Sequence, residues 1–241
     1  MATTTREVRR RDIKLSGEVL AAAVVLTLAG LGAWIYQLTQ GMEVTGLGQQ
    51  VVWGLYIAGF FTAVGAGAGM LALVGVSEFI PGSSLVDRRR GLSMALASFI
   101  VGGVLIVMDV GSPLKVWRIA TSGRFSSMMT WDFWLLATAG VVTVIYLALT
   151  SGSGARRGLG ALAIVVAIAV VAAEGWMLSV LAARPMWAGG LSIFSFLLSA
   201  LIAGMGLAAL ILDDKTWLRG WLGVALGANL VLVLAEGLTG L

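Results

Sequence analysis

Long apolar runs recur from one end of this chain to the other, and each is long enough to cross a lipid bilayer as a helix. A helix needs about 20 mostly apolar residues to cross a hydrocarbon core of ~30 Å. Seven such runs lie at roughly residues 17–38, 51–80, 92–111, 131–150, 158–182, 190–212 and 218–238. Because lipid offers no water to exposed backbone groups, runs of this length favour helices. The sequence therefore predicts an all-α, polytopic membrane protein with about seven transmembrane helices.

The residue types that the chain lacks exclude several kinds of site. It contains no cysteine and no histidine. We therefore expect no iron–sulfur cluster in this chain, no haem held by histidine and no metal site. Imidazole catalysis is also excluded. The net charge is only +4, and its cations cluster at helix ends, so we expect contact with membrane lipid and not with nucleic acid.

Lys and Arg are distributed unevenly between the two predicted sides of the membrane. One side has only Lys115, Arg118, Arg124 and Arg184, so that 12 of the 16 cations lie on the other. Cytoplasmic loops carry the excess of Lys and Arg. We therefore expect a multi-pass protein of the cytoplasmic membrane whose N-terminus, with a basic tail at residues 1–16, is cytoplasmic.

The connection between the third and fourth spans, Asp109–Asp132, is unusually polar for so apolar a chain. It contains two carboxylates, three cations and two tryptophans, and the charge distribution places it outside. We expect this loop to contact a ligand or a partner. Asp109 at its start has two interpretations. It forms an ion pair with Lys115 or Arg118 at the membrane surface, or it has a function, as a proton acceptor or as a hydrogen-bond partner for a ligand headgroup.

Glu174 lies within the fifth predicted span, ten residues before Arg184. At ~1.5 Å per residue, this places its carboxyl group ~15 Å below the outer loop. Ionisable groups at such depth are costly and indicate function by default. The alternative is a neutral glutamic acid that hydrogen-bonds a neighbouring helix.

Polar and aromatic residues open the second span at the outer face: Gln49, Gln50, Trp53 and Tyr56. They are typical of an aromatic belt at a polar helix start. Alternatively, they form an entrance that hydrogen-bonds a carbonyl group and stacks on a ring. Farther along the same span, small residues at Gly65, Gly67 and Gly69 predict close packing against other helices.

Four segments, in order, resemble the NrfD-like, polysulfide-reductase-type family of membrane subunits over about residues 50–212. They are Trp53–Gly69, Asp109–Asp132, Arg184–Trp187 and Phe196–Gly204. The second segment carries the most detail, in an acidic-Gly-x-Pro-Leu-x-x-Trp element followed by a Ser-Met-x-Trp element. Its matching residues are Asp109, Gly111, Pro113, Leu114, Trp117, Ser127, Met128 (or Met129) and Trp131.

The resemblance implies a quinone module without a redox cofactor of its own. Members of this family exchange electrons between membrane quinone, either menaquinone or ubiquinone, and a ferredoxin-like iron–sulfur subunit. A molybdopterin catalytic subunit usually completes the complex. The resemblance places the quinone near the outer face of a four-helix bundle formed by spans 2–5, at residues 50–183. Residues 17–49 would then be an extra helix and outer loop, and residues 184–241 a partial second bundle.

This chain departs from the family at the expected quinone ligands. Relatives can use a histidine and an asparagine on the first core helix, where this chain has Ile57 and Phe60. They can use a tyrosine on the fourth core helix, where this chain has Ala173 followed by Glu174. The usual ligands therefore do not carry over residue by residue.

Three functional hypotheses follow. The first is a quinone-reactive subunit of a respiratory oxidoreductase. Its first candidate for proton exchange with the quinone is Glu174 and its second is Asp109, because a buried carboxyl group can exchange protons near neutral pH. The candidate quinone-binding residues are Gln49, Gln50, Trp53, Tyr56, Arg118, Trp131 and Arg184. The second hypothesis is a structural anchor without quinone, and the third is a small transporter or proton channel. Whether the subunit is itself catalytic stays open at this point.

Overall fold

The computed structural model describes residues 16–47, 53–80, 85–124, 127–150, 156–179, 191–212 and 215–239. Within these ranges the regular structure is helical. The helices are α1 (Gly17–Gln40), α2 (Leu55–Ser77), α3 (Arg88–Asp109), α4 (Trp117–Ser122), α5 (Met128–Ala148), α6 (Arg157–Ser179), α7 (Leu191–Ile211) and α8 (Thr216–Thr239). All except α4 are long and apolar enough to cross a membrane. The predicted all-α fold with seven spans is thus confirmed.

Two boundaries show how polar residues limit the apolar runs. Helix α3 begins at Arg88, four residues before the predicted start, because the Asp87 side chain accepts a hydrogen bond from the Arg90 N–H at 2.8 Å and so caps the helix. Helix α3 ends at Asp109, and Gly111 follows with a φ of 65°, a left-handed conformation that suits glycine after a helix end. The short helix α4 lies inside the Asp109–Asp132 connection, where the sequence predicts a loop.

Helix α2 is the central element of the fold. It packs against α3, α6 and α7, while α5 contacts both α3 and α6. Helices α2, α3, α5 and α6 thereby close a four-helix bundle, which is the arrangement predicted for spans 2–5. Helix α7 packs on the outside of α2 and α6, and α8 packs on α7.

Glycines allow α2 to approach its neighbours closely. A Cβ atom added to Gly75 would lie 2.6 Å from the carbonyl oxygen of Gly160 on α6. An added Cβ on Gly69 would overlap the backbone of Ala200 on α7, and one on Gly67 would lie 2.9 Å from the Phe99 ring on α3. Close packing is therefore confirmed for Gly67 and Gly69, whereas Gly65 makes only ordinary contact. Small residues serve this purpose widely in membrane helices.

The bundle has two ends with different polar groups. At one end, which we call the Asp109 end, α2 and α5 begin while α3 and α6 finish. At the opposite end, which we call the Glu78 end, α2 and α5 finish while α3 and α6 begin. Helix α1 joins the Asp109 end through the buried Gln37, whose side-chain amide donates a hydrogen bond to the Met108 carbonyl at 3.1 Å.

Candidate functional site

A cavity of about 390 Å³ lies in the four-helix bundle at its Asp109 end. This volume falls within the range of small-molecule sites, which is about 300–1,000 Å³. Its walls are mainly aromatic and aliphatic. The lining includes Trp53, Ile57, Phe60 and Phe61 from α2 and the residues before it, Phe99, Ile100 and Ile106 from α3, Phe133 and Leu136 from α5, and Met177 from α6.

Two carboxyl groups, those of Asp109 and Asp132, interrupt this apolar lining. Asp109 is the last residue of α3, and Asp132 lies in the second turn of α5. The Oδ1 atom of each is buried and lacks a hydrogen-bond partner within the described ranges. Buried polar atoms in folded proteins are nearly always paired. The cavity therefore offers two unmet hydrogen-bonding groups to an incoming ligand.

One interpretation of Asp109 is an ion pair with Lys115 or Arg118, and the described residues contain no such pair. The Arg118 guanidinium lies instead over the Trp117 ring, 5.8 Å from its centroid. The Asp109 carboxyl group thus remains available to the cavity.

Glu174 is fully buried in α6, and both of its carboxyl oxygens lack a hydrogen-bond partner among the described residues. It does not line the cavity, but Met177, three residues later on the same helix, does. The carboxyl group of Asp132 is near enough to act on Glu174 electrostatically. Asp132 thus lies in the cavity wall, and Glu174 lies near it on α6 without lining the cavity.

The structure places the remaining candidates at several sites. Trp53 lines the cavity. The Tyr56 hydroxyl lies outside it and donates a hydrogen bond to Gln37 Oε1 at 2.8 Å. Trp131 is 46% exposed and, like Arg118, does not line the cavity. Gln49, Gln50 and Arg184 fall outside the described residues.

Asp132 was not selected as a site residue from the sequence, although a signal was present. It follows Trp131 in the Ser-Met-x-Trp element, and on α5 it shares one face with Met129, Phe133 and Leu136. Residues three and four apart lie on the same side of a helix. An acid placed among apolar residues at this spacing points inward, and that pattern indicates a polar group in a bundle interior.

A contrasting carboxyl group, that of Glu78, lies at the opposite end of the bundle. It pairs with Arg88, with Nη2 and Oε2 2.9 Å apart, and accepts a hydrogen bond from the Arg156 backbone N–H at 2.7 Å. The hydroxyl of Tyr146 also donates to it. Both carboxyl oxygens of Glu78 therefore have hydrogen-bond partners within the protein, whereas Asp109, Asp132 and Glu174 have carboxyl oxygens without one among the described residues. Within the described ranges, no group of three potential ligands is placed to hold a metal ion.

Comparison with known proteins gives concordant matches. Residues 43–216 match the family model described as "Polysulphide reductase, NrfD". The chain is 31% identical to a putative dimethyl sulfoxide reductase membrane subunit of Halobacterium salinarum, over 90% of this chain and 58% of that protein. It is 27% identical to the "Hdr-like menaquinol oxidoreductase integral membrane subunit" of Archaeoglobus fulgidus, over 86% of this chain and 52% of that protein.

A third relative is a selenate reductase subunit of Mesobacillus selenatarsenatis, which is 23% identical over 90% of this chain and 63% of its own length. The chain thus spans only 52% to 63% of the length of these curated relatives. The match to the family model covers most of the chain, including the four helices around the cavity.

Proposed function

The chain belongs to the polysulphide reductase NrfD family, and we propose that it is an integral membrane subunit of a multi-subunit respiratory oxidoreductase. In this role it exchanges electrons between membrane quinone or quinol and an iron–sulfur subunit. The names of the relatives support the proposal, since one is a menaquinol oxidoreductase subunit and two are reductase subunits. The observation that carries it is the apolar cavity with partnerless Asp109 and Asp132 oxygens.

A quinone headgroup suits this cavity chemically. It is a flat ring that packs on aromatic walls, with an oxygen at each of two opposite edges. Trp53, Phe60 and Phe133 provide such walls. Aromatic rings pack favourably on one another in offset or edge-on contact, so these side chains suit the quinone ring. The hydroxyl groups of a quinol donate hydrogen bonds to carboxylates, and the carbonyl groups of a quinone accept them from carboxylic acids. Asp109 and Asp132 therefore serve both redox forms.

The two carboxyl groups also match the number of protons that the reaction releases. Oxidation of a quinol to a quinone breaks two O–H bonds and releases two protons and two electrons. Asp109 and Asp132 each accept one proton as a carboxylate. The electrons pass to the iron–sulfur cluster of the partner subunit, since this chain contains no cysteine to hold one. Quinone reduction is the reverse, with the carboxylic acids as proton donors.

Glu174 extends this proton path away from the cavity. It lies near Asp132, on α6, is fully buried and has two partnerless oxygens among the described residues. A carboxyl group in this position takes the proton from Asp132 and leaves Asp132 ready for the next turnover. Glu174 is thus assigned to proton transfer and not to contact with the headgroup.

The remaining assignments concern the assembly. We place the N-terminus in the cytoplasm and the Asp109 end at the outer face of the cytoplasmic membrane, following the Lys and Arg distribution. The partners are a ferredoxin-like iron–sulfur subunit and a molybdopterin catalytic subunit. Arg118 and Trp131 are exposed at the Asp109 end, and exposed Arg and Trp side chains are favoured anchors at protein interfaces. We assign them to contact with the iron–sulfur subunit.

A second function, a structural anchor without quinone, is favoured by one feature of the cavity. Its α2 wall has Ile57 and Phe60, in the region of the first core helix where quinone-binding relatives can use a histidine and an asparagine. An anchor would keep the same partners, and a conservative change of a cavity carboxyl group would leave the activity of the complex unaltered.

The test is the Asp132→Asn variant in the complex purified with mild detergent. The new amide is close in size to the carboxyl group but cannot accept the proton. We expect turnover with quinol to fall by about 10²-fold or more, the usual contribution of a positioned proton acceptor. Co-purifying iron–sulfur protein, measured by iron analysis, should be unchanged. Glu18→Gln, an exposed acid on α1, is the matched control.

Quinone extraction from the same preparation separates the two functions. Bound quinone in the wild-type complex together with a slow Asp132→Asn variant supports the quinone module. Iron–sulfur protein without extractable quinone, and full activity of Asp132→Asn with the partner's own substrates, would replace the module with the anchor.

A further inference from the structure

The cavity is elongated and has one polar end. Along α3 its lining extends from Asp109 to Leu96, a separation of about 20 Å at ~1.5 Å per residue. Along α5 it extends from Met129, past Asp132, to Gly140, and Asp132 and Gly140 are about 12 Å apart. Both carboxyl groups lie at the Asp109 end. The rest of the described lining is apolar and reaches toward the middle of the membrane.

Two glycines leave a gap between α3 and α5 in this apolar part. Gly103 on α3 and Gly140 on α5 both line the cavity, and a Cβ atom added to either would meet no atom within 4 Å. The adjacent Gly102 differs, because a Cβ there would lie 2.6 Å from Val64. Gly102 thus serves helix packing, whereas Gly103 and Gly140 keep space open.

The gap reaches the surface that faces lipid. Ile100 lines the cavity yet is 58% exposed, and Gly103, Ala137 and Gly140 are partly exposed. These residues lie in the middle of their helices, away from the bundle ends. The cavity therefore opens sideways between α3 and α5. We call this opening, bordered by Ile100, Gly103, Val107, Ala137 and Gly140, the α3–α5 cleft.

We propose that the α3–α5 cleft admits quinone from the lipid and holds its isoprenoid tail while the headgroup lies between Asp109 and Asp132. The inference rests on the proposed function and adds the path and the tail site. Lipid chains solvate a tail as well as a protein wall does, so the cleft contributes access more than affinity. A tail fixed to a buried ring must leave the bundle somewhere, and the cleft is open to lipid at mid-membrane depth.

The polar end of the cavity argues against a phospholipid as the occupant. Asp132 is 8% exposed, and its Oδ1 atom has no partner among the described residues. As carboxylates, the two groups repel a phosphate and receive no hydrogen bond from an ester carbonyl. A ring that carries hydroxyl groups at one end and an apolar tail at the other matches the lining along its whole length.

The experiment blocks the cleft with Gly103→Leu and, separately, Gly140→Leu in the complex purified with its partners. Gly206→Leu on α7 is the matched control, because it also occupies open space but does not line the cavity. Turnover is measured with a long-tailed quinol and with a tail-free quinol that has the same ring. We expect the ratio of kcat/KM for the long-tailed over the tail-free quinol to fall at least about tenfold in both cleft variants, since added methylenes exclude a bulky chain.

The tail-free quinol distinguishes failure of the cleft from failure of the proposed function. If the wild type oxidises both quinols and the ratio stays within twofold of the Gly206→Leu control, the tail does not occupy the cleft. If the wild type oxidises neither quinol and binds neither, the quinone module itself is wrong. Quinone extracted from the cleft variants provides a second readout, because we expect them to co-purify with less of it than the control.

Discussion

The Tyr146 hydroxyl donates a hydrogen bond of 2.8 Å to Glu78 Oε1 at the end of the bundle opposite the cavity. Tyr146 is fully buried and Glu78 nearly so. Arg88 and the Arg156 N–H complete the set of donors. The bond joins α5 to the residue that follows α2, and the Arg88 pair joins that residue to α3. This carboxyl group thus holds the Glu78 end together.

Replacing Tyr146 with Phe should weaken this end without altering the cavity. The variant removes one donor from a buried, charged acceptor, and we expect the free energy of unfolding to drop by about 1–2 kcal/mol. Unfolding of the detergent-solubilised chain by sodium dodecyl sulfate measures it. Tyr36→Phe removes a hydroxyl from a residue that is 58% exposed and is the control. Equal stabilities of the two variants would contradict the structural role.

The stability of the protein should depend on pH through titration of Glu78, which lies just beyond the end of α2. Burial raises the pKa of Glu78, but hydrogen bonds from the Arg156 N–H, Arg88 and Tyr146, with the Arg88 charge, lower it by more, so that the pKa falls below its ordinary value of 4.5. A lowered pKa in the folded state stabilises the protein above the unfolded pKa. That contribution is lost as the pH falls through the folded value.

We therefore expect the unfolding midpoint of the wild type to drop as the pH is lowered below about 4.5. Glu78→Gln cannot titrate, so it should be less stable at neutral pH but lose less stability in acid. Glu18→Gln, at an exposed position, should keep the wild-type slope. Parallel profiles of Glu78→Gln and the wild type would show that Glu78 does not set the acid limit.

The spans were predictable because membrane crossing depends on the length of an apolar run, which can be read directly along the chain. The bundle of α2, α3, α5 and α6 came from the family resemblance, and its central α2 is consistent with the glycines at 67 and 69. Helix α4 was missed because its six residues are too few to show a periodic pattern. The start of α3 was missed because the capping residue Asp87 is followed by three arginines, and a charged run before an apolar stretch is typical of a loop.

The candidate site was predictable only in part. Asp109 and Trp53 were selected from the sequence and line the cavity, and Glu174 was selected and is buried beside it. Tyr56 was selected for its position, but the direction of its hydroxyl depends on Gln37 of α1, 19 residues away. Asp132 looked like the end of a loop because the start of α5 could not be located within several residues. Side-chain direction depends on such boundaries.

A glycine pair between α2 and α7 should tolerate no side chain. A Cβ atom on Gly204 would overlap the backbone of Gly69, whereas one on Gly206 of the same helix would meet nothing within 4 Å. We expect Gly204→Ala to destabilise the chain by about 3 kcal/mol or more, since backbone atoms cannot move aside as side chains can. Gly206→Ala should be neutral or slightly stabilising. Similar yields and unfolding midpoints for the two variants would contradict the close crossing.

The orientation in the membrane can be tested with single cysteines, because the native chain contains none. Lys115 and Arg89 are both exposed, on opposite ends of the bundle. We expect a membrane-impermeant maleimide to label Lys115→Cys in intact spheroplasts and Arg89→Cys only after lysis, because the excess of Lys and Arg marks the cytoplasmic side. The reverse pattern would place the Asp109 end in the cytoplasm and require the iron–sulfur partner to bind there.

Glu174→Gln should separate proton transfer from binding. The amide is close in size to the carboxyl group, so the variant should assemble normally and retain extractable quinone. Because an amide cannot accept the proton from Asp132, we expect quinol turnover to fall by about 10²-fold, with little change in KM. Glu174→Asp, which restores a carboxyl group on a shorter side chain, should recover part of the rate. If Glu174→Gln turns over as fast as the wild type, Glu174 is a buried acid without a part in the reaction, and the proton from Asp132 leaves by another route.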